Sequence, residues 1–525
     1  MKSWLLLTML AGCSGYRAPD VESTGGDDSV GSVPTTDSGT PPLTTSVDPR
    51  LRLEAVIACE NPAASVTYTE VGASWGVTQA DTLDDAEQTS GGALAVTDFD
   101  HDGDLDLVVG FKAEDVVTYR NEGGATFTRT KLAGVGSSGT ALNIADMDAD
   151  GWEDLIVGKP PSIVRNVNGV LDAENLVSLP DVDNESSVEL SPGDADGDGL
   201  PDLYSVVQTN DTEFHEDGLF LNDGGWAFEE VPNGVPDDPH DGKGFDAVWW
   251  DEDRDGDLDV YVSNDMGNLY GENVLWRNEG GVLVDANEEC DCGVAITGMG
   301  VDVGDVDRDG TMDLFLTHGT GQVLLQRLSS GVYYDNTDAS GANIPEMSWG
   351  SVFFDHDNDG DLDILVAMGE WVVAGDLNGA PGDGIGLLDQ VDGSFTDVAA
   401  ALGLEGTGGY RSVVAADFNA DGVLDLVATD VQLRPEVYLS DQCTAEGWIE
   451  VWAPPGTQVA VSAGADRWVD EVMMDSGRGA SGPSMVHIGL GAHQTVNRID
   501  LVLPGGEAVV AEGVIEARRV VRYLP

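Results

Sequence analysis

The sequence predicts an all-β protein: a seven-bladed β-propeller followed by a small C-terminal all-β domain. Three observations predict it. A carboxylate-rich loop of nine residues, D-x-D-x-D-G-x-x-D with few departures, recurs seven times. Its copies begin at residues 98, 146, 194, 251, 305, 355 and 417, so successive starts lie 48 to 62 residues apart. A period of this size signals a solenoid, a propeller or an array. Short apolar runs flank every loop, Gly-rich turns follow, and helical periodicity is essentially absent, which selects four-stranded propeller blades.

At the N-terminus, "MKSWLLLTMLAGC" carries one Lys, a short apolar run from Trp4 to Leu10, and small residues up to Cys13. The run is too short to span a bilayer, so residues 1–12 read as a removable export signal. "LAGC" (Leu10–Cys13) looks like the lipobox of bacterial lipoproteins, in which the Cys becomes the lipidated first residue. The plainer reading is a secretory signal with an incidental Cys13. Ser14, where Asp would favour inner-membrane retention, directs such a lipoprotein to the outer membrane. The chain is thus expected to be exported and lipid-anchored at the bacterial outer membrane or cell surface, with a secreted or periplasmic protein as the alternative. Residues 13–58 are dominated by Ser, Thr, Pro, Gly and Asp and read as a disordered tether.

Composition narrows the partners. With 96 Asp and Glu against 23 Lys and Arg, the net charge is −73. Phosphate backbones and anionic lipid surfaces both need clustered cations, so nucleic acid is excluded and the membrane is reached only through the N-terminal anchor. The expected partner is an extracellular protein or glycan, and the chain is expected to be monomeric. Wholesale disorder does not fit, because 41% of the residues are hydrophobic.

Residues 59–443 hold the propeller. Before the loops lie strands such as "GALAVT", "FDAVWW", "WGSVFF" and "RSVVAA"; after them come "LDLVVG", "LDVYVSN", "LDILVAMG" and "LDLVATD". A third strand runs into Asn-Glu-Gly-Gly-like turns ("VVTYRNEGG", "NVLWRNEGG"), and a weaker fourth closes several repeats. The last repeat lacks a fourth strand, whereas "VTYTEVGASWGV" from Val66 precedes the first loop with the character of one. That segment is expected to complete the last blade and close the ring. An antiparallel pairing of it with Pro435–Ser440 brings Cys59 beside Cys443, so a disulfide is expected there in an exported chain. Cys290 and Cys292 are expected to form a local disulfide, since two thiolates without further Cys or His make a poor zinc site.

The loops predict calcium. In each, the first, third, fifth and ninth residues can turn inward as carboxylates and the seventh offers its carbonyl. These are Asp98, Asp100, Asp102, Asp104 and Asp106; Asp146, Asp148, Asp150, Trp152 and Asp154; and Asp194, Asp196, Asp198, Leu200 and Asp202. Then come Asp251, Asp253, Asp255, Asp257 and Asp259; Asp305, Asp307, Asp309, Thr311 and Asp313; and Asp355, Asp357, Asp359, Asp361 and Asp363. The last loop has Asp417, Asn419, Asp421, Val423 and Asp425, and its Asn is expected to weaken binding. Such an all-oxygen shell suits Ca²⁺, with up to seven ions, whereas transition metals recruit His or Cys. The glycine at position six supplies a backbone conformation that side chains resist. An EF-hand is excluded, because position twelve is Val109, Val157, Ser205, Val262, Leu316, Val366 or Ala428 and the flanks are strands. The competing reading is a set of acidic turns that merely solvate the ring.

The Asp loops with their "LDLVVG"-type strands resemble FG-GAP/VCBS repeats, as in the integrin α-chain propeller. Residues 444–525 resemble the ASPIC/UnbV domain, most clearly in "VHIGLGAHQTVNRIDLVLPGGE" from Val486 and "DSGRGASGPS" from Asp475. The whole is similar to bacterial members of the cartilage acidic protein family. Alternating apolar residues in "RWVDEVMM", "MVHIGL", "RIDLVL" and "AVVAEGV" independently predict a small β domain there.

The first functional expectation is a surface-anchored, calcium-stabilised binding scaffold. Trp371, His240 and Lys243, in the longest inter-blade segments, are its candidate ligand contacts, although each can equally fill a turn. The second is an extracellular polysaccharide lyase or hydrolase on a calcium propeller. No Gly-x-Ser-x-Gly, HExxH or phosphate loop occurs, so no catalytic residue is assigned and the chain is expected not to be an enzyme. The third is integrin-like adhesion. His101 and His356, inside the loops, are expected to face solvent; His487 and His493 are expected to pack or lie on the surface of the small domain.

Overall fold

Apolar runs that flank the acidic loops become paired strands. The computed structural model describes residues 45–525 except 61, 64, 79–91, 112–114, 125, 137–140, 180–186, 209–216, 233, 237–242, 371–383, 405, 407, 432–434, 441–442 and 475–476. The export signal, Cys13 and most of the tether lie outside the described residues, as do His240 and Trp371. No helix among the described residues is long and apolar enough to cross a membrane.

Among the described residues seven sheets are each built on an antiparallel meander of four strands, and the first takes a fifth, parallel strand at its inner edge. In the sixth these are Ser348–Phe354, Asp363–Met368, Ile385–Val391 and Ser394–Asp397. Inner strands such as Ala93–Thr97 and Tyr410–Ala416 are buried along their whole length. Both faces of an inner strand meet neighbouring blades, so the run is continuously apolar rather than alternating. Outer strands such as Leu171–Ser178 keep one wet face and alternate. Each inner strand packs on that of the next blade, and Tyr410–Ala416 packs back on Ala93–Thr97, so the blades form a closed β-propeller.

The closing strand is Tyr68–Glu70, paired antiparallel with Pro435–Ser440 in the register Tyr68↔Ser440 and Glu70↔Tyr438. Just outside it, the Ala63 N–H donates to the Cys443 carbonyl at 3.0 Å, and Cys59 is disulfide-bonded to Cys443 with Cα atoms 5.8 Å apart. Cys290 and Cys292 are also joined.

The C-terminal domain packs two sheets around Ile449, Val451, Val461, Ile488, Ile499 and Leu501. Here the tether expectation needs correction. Ser46–Val47 pairs with Ala508–Glu516 and Leu51–Leu53 pairs with Arg519–Tyr523, so part of segment 13–58 belongs to this domain. Leu51 is buried in its core, and an Arg50–Glu507 ion pair at 2.7 Å links the segment to a turn of the domain. A second surprise is Ala480–Ser481, which leaves the domain and pairs in parallel with the innermost strand of blade one, Ala480↔Leu94. The preceding Arg478 stacks over Phe245 and Trp349, from the inner strands of blades four and six, and its carbonyl accepts the Ser412 hydroxyl of blade seven. The Gly-rich segment therefore threads into the middle of the ring.

Candidate metal centres

One hydrogen-bond scaffold builds all seven loops. The first aspartate accepts the N–H of the sixth-position glycine, from Gly103→Asp98 at 3.0 Å to Gly422→Asp417 at 2.8 Å. The fifth accepts the N–H of the seventh residue, as in Trp152→Asp150 at 3.0 Å and Asp361→Asp359 at 2.9 Å. The ninth ties the start of the loop to the third strand. Its Oδ2 accepts the N–H of position two (His356→Asp363, 2.9 Å), and its Oδ1 accepts one from the end of the third strand (Asn121→Asp106, 2.6 Å).

The chain turns back through two left-handed residues per loop. Glycine at position six has φ between 84° and 101°, as expected. Position four is also left-handed, and only Gly197 is a glycine there; His101, Ala149, Arg254, Arg308, Asn358 and Ala420 hold φ of 54° to 66°. That geometry is costly for side chains, and the hydrogen bonds to the first aspartate hold it.

Carboxylates converge as a result. Oxygens of Asp98, Asp100 and Asp106 lie within 4.8 Å of one another, as do those of Asp146, Asp148 and Asp154, of Asp194, Asp196 and Asp202, and of Asp251, Asp253 and Asp255. Buried oxygens Asp148 Oδ1, Asp251 Oδ1 and Asp305 Oδ1 have no hydrogen-bond partner. An all-oxygen, negatively charged donor set with orphan lone pairs fits a hard divalent cation. Among the position-seven residues, the Asp257 carboxylate turns out to the Gly280 N–H and that of Asp361 to Arg308, so the side chains do not compete with their carbonyls. In the last loop the Asn419 amide donates to Asp421, its oxygen accepting the Asp421 N–H.

Burial, then the neighbouring aspartates, opposes ionisation. The ninth aspartates are pushed up to about 8 at Asp106, Asp259, Asp313 and Asp425 and to about 7 at Asp154 and Asp202, although the N–H donors pull the other way. First-position carboxyls divide by location. Asp98, Asp146 and Asp194 are raised, Asp251 reaches about 6 and Asp305 about 7, while Asp355 and Asp417 rise well above the carboxylate range.

The C-terminal domain causes that division by sitting on the later loops. The Trp468 indole N–H donates to the Gly360 carbonyl at 2.9 Å, the Gly491 N–H donates to the Asn358 carbonyl, and His487 Nε2 meets Asn358 Oδ1 at 2.8 Å. Asn358 also donates across to the Gly422 carbonyl of the next loop. The sixth-position glycine is exposed in loops one to four and buried in loops five to seven.

Two site expectations are corrected. His356 is buried beside Asp389 (3.0 Å), because position two of every loop points into the packing between blades. Lys243 is a buried strand residue stacked over Tyr270 rather than a rim contact. His101 does face solvent, lying against the Trp152 ring of the next loop.

Sequence reading missed the staples between blades. The amide side chains of Asn166, Asn222, Asn278 and Gln390, at the ends of third strands, donate to the position-two carbonyl of the preceding blade's loop (Phe99, Met147, Ala195 and Val306). The Asn that recurs at the end of a third strand, just before a Gly-containing turn, was their signal. In blade five Arg327 reaches back instead to buried Glu252, which it shares with Arg277.

Comparison with known proteins agrees with this architecture. An FG-GAP-like repeat model matches residues 98–157 and 251–316, and an ASPIC and UnbV model matches residues 453–521. No curated protein matches the chain. Similar solved structures include an Agrocybe aegerita lectin that recognises non-reducing terminal N-acetylglucosamine (17% identity, 65% of this chain and 75% of that one, TM-score 0.32). A Bacillus licheniformis rhamnogalacturonan lyase (13%, 72% and 76%, 0.39) and BBS1N in complex with ARL6DN (11%, 70% and 97%, 0.41) are also similar. All three lie too far from this chain for their ligands or reactions to be transferred.

Proposed function

We propose that this chain of FG-GAP-like repeats with an ASPIC/UnbV domain is an exported, calcium-stabilised binding scaffold rather than an enzyme. The observation that carries the reading is the loop geometry: seven times, the same N–H donors hold aspartates that burial and mutual repulsion would otherwise keep from ionising. Ca²⁺ supplies the positive charge that turns this repulsion into a tie between strands. In each loop the first, third, fifth and ninth side chains and the seventh carbonyl would hold it, with Asn419 replacing a carboxylate in the last. The partner is an extracellular protein or glycan on a propeller face, and the membrane is reached only through lipidated Cys13 of a monomer.

Extracellular calcium modules bind at roughly 10⁻⁴–10⁻³ M. At millimolar calcium each site then adds about 1 kcal/mol, and seven together shift Tm by on the order of 10 °C. Thermal unfolding of the mature chain in 1 mM Ca²⁺ and in excess chelator measures this. An unchanged Tm would falsify the metal reading. A protein and glycan binding screen under the same two conditions identifies the partner.

A further inference from the structure

We propose that the C-terminal domain is a ligand donor to the propeller: Glu471 supplies a carboxylate oxygen to the cation site of the fourth loop. The proposal rests on the calcium reading above and adds a residue that the loop motif does not contain.

Five oxygens come from the loop itself, namely four carboxylates and one carbonyl, whereas Ca²⁺ takes six to eight. In an open loop water fills the remainder. The fourth loop has a protein group in position to do so. Glu471 ends the strand Asp466–Glu471, is 4% exposed, and has its backbone N–H fixed by the Asp470 carboxylate at 2.8 Å. Burial and the nearby Asp251 carboxylate raise its carboxyl, with smaller contributions from Asp470 and Asp259, while the backbone N–H of Asp251, the first residue of the loop, pulls it down.

Two oxygens on either side of this contact have no hydrogen-bond partner, Glu471 Oε1 and Asp251 Oδ1. The other Asp251 oxygen is already engaged by the Gly256 N–H at 3.2 Å and by the amide of Gln458 at 3.1 Å. Gln458 is the cross-strand partner of Glu471, so one point of the C-terminal domain presents both side chains to the loop. Facing buried carboxylates with orphan lone pairs are destabilising unless a cation lies between them. Asp253 and Asp255 converge with Asp251, so a cation held there shares Asp251 with the point at which Gln458 and Glu471 approach the loop.

The test is calorimetric titration of Ca²⁺ into the chelator-stripped mature chain, wild type and Glu471→Gln, with thermal unfolding of both in calcium and in chelator. One site is expected to weaken about 10-fold, with Tm lowered in calcium and raised in chelator, where a like charge has been removed. A Gln variant that binds the same number of ions with the same affinity, and whose Tm rises in both conditions, overturns the proposal. Glu471→Asp keeps the charge but withdraws it by one methylene. It is expected to weaken the same site, and unchanged binding by this variant counts equally against the proposal. If wild type itself takes up no Ca²⁺, the calcium reading falls and this inference with it; if wild type binds and both variants match it, only the inference falls.

Discussion

The loops of blades one to three and those of blades five to seven share one motif and one hydrogen-bond scaffold, but they live in different media. Asp98, Asp146 and Asp194 sit half-buried above exposed glycines, and neighbouring open loops touch edge to edge, as in the His101–Trp152 stack at 4.1 Å. Asp305 and Asp355 are 3% and 2% exposed, beneath a second domain that brings acids of its own, Glu450 near Asp417 and Asp470 near Asp305. The motif sets where the oxygens point; the covering domain sets what an uncompensated charge costs there. Seven copies of one sequence are thus not seven equal sites, and an uncompensated charge costs most where the domain docks.

pH gives the largest expected effect. A carboxyl whose folded value lies above its unfolded value of about 4 contributes stability below that value and loses it as pH rises through the folded one. The ninth aspartates at about 7 to 8, with Asp305 at about 7, place that loss between pH 4 and 8. In excess chelator Tm should therefore fall by on the order of 10 °C between pH 5.5 and 8.5. With saturating calcium it should hold or rise, because ionised aspartates are then the binding form. Exchange of the Trp468 indole N–H should report opening of the covered side first. A chelated protein that is more stable at pH 8.5 would show that the loops are solvated turns.

Next in size is a matched pair of substitutions. Asp355→Asn removes a proposed calcium ligand and leaves one N–H of Asp359 or Gly360 poorly satisfied inside the interface. In calcium it should cost about 3 kcal/mol. Asp146→Asn makes the same change in an open loop, where water substitutes, and should cost about 1 kcal/mol. In chelator the order inverts, with Asp355→Asn stabilising the chain. Equal losses by denaturant unfolding in calcium would erase the distinction between the two sets of loops.

Sequence reading reached one side of this contrast only. Period, loop spacing and an orphan strand at Val66 were enough for blades, closure and the Cys59–Cys443 pairing, because each depends on local pattern and chain order. His356 was readable too: position two is Phe99, Met147, Ala195, Val306 or Phe418 in five of the other loops, an apolar column that marks an inward direction. Docking left no such trace. Two surfaces rich in Asp and Glu would be expected to repel, and the groups that join them, Trp468, His487 and Asn358, are isolated in sequence. Ser46–Val47 and Leu51–Leu53 are too short to show a period, and their partners lie more than 450 residues away. Ala480–Ser481 hides inside a glycine-rich run that reads as a loop.

Gly489 offers the smallest and most local way to separate the two regions. A Cβ there would lie 1.8 Å from Asp355 Oδ2 and 2.7 Å from the Asn358 backbone, so the domain rests on loop six with no room for a methyl group. Gly489→Ala should cost about 2 kcal/mol, within the usual range for overpacking. Gly136→Ala, in an outer strand with nothing within 4 Å, should stay within about 0.5 kcal/mol. Hydrogen exchange in calcium should quicken at Gly491, whose N–H donates to Asn358, while Gly103 and Gly151 in the open loops keep wild-type rates. Quickening in both sets of loops would mean that the domain steadies the whole ring rather than the side it covers, and unchanged rates at Gly491 would mean that loop six holds its shape without it.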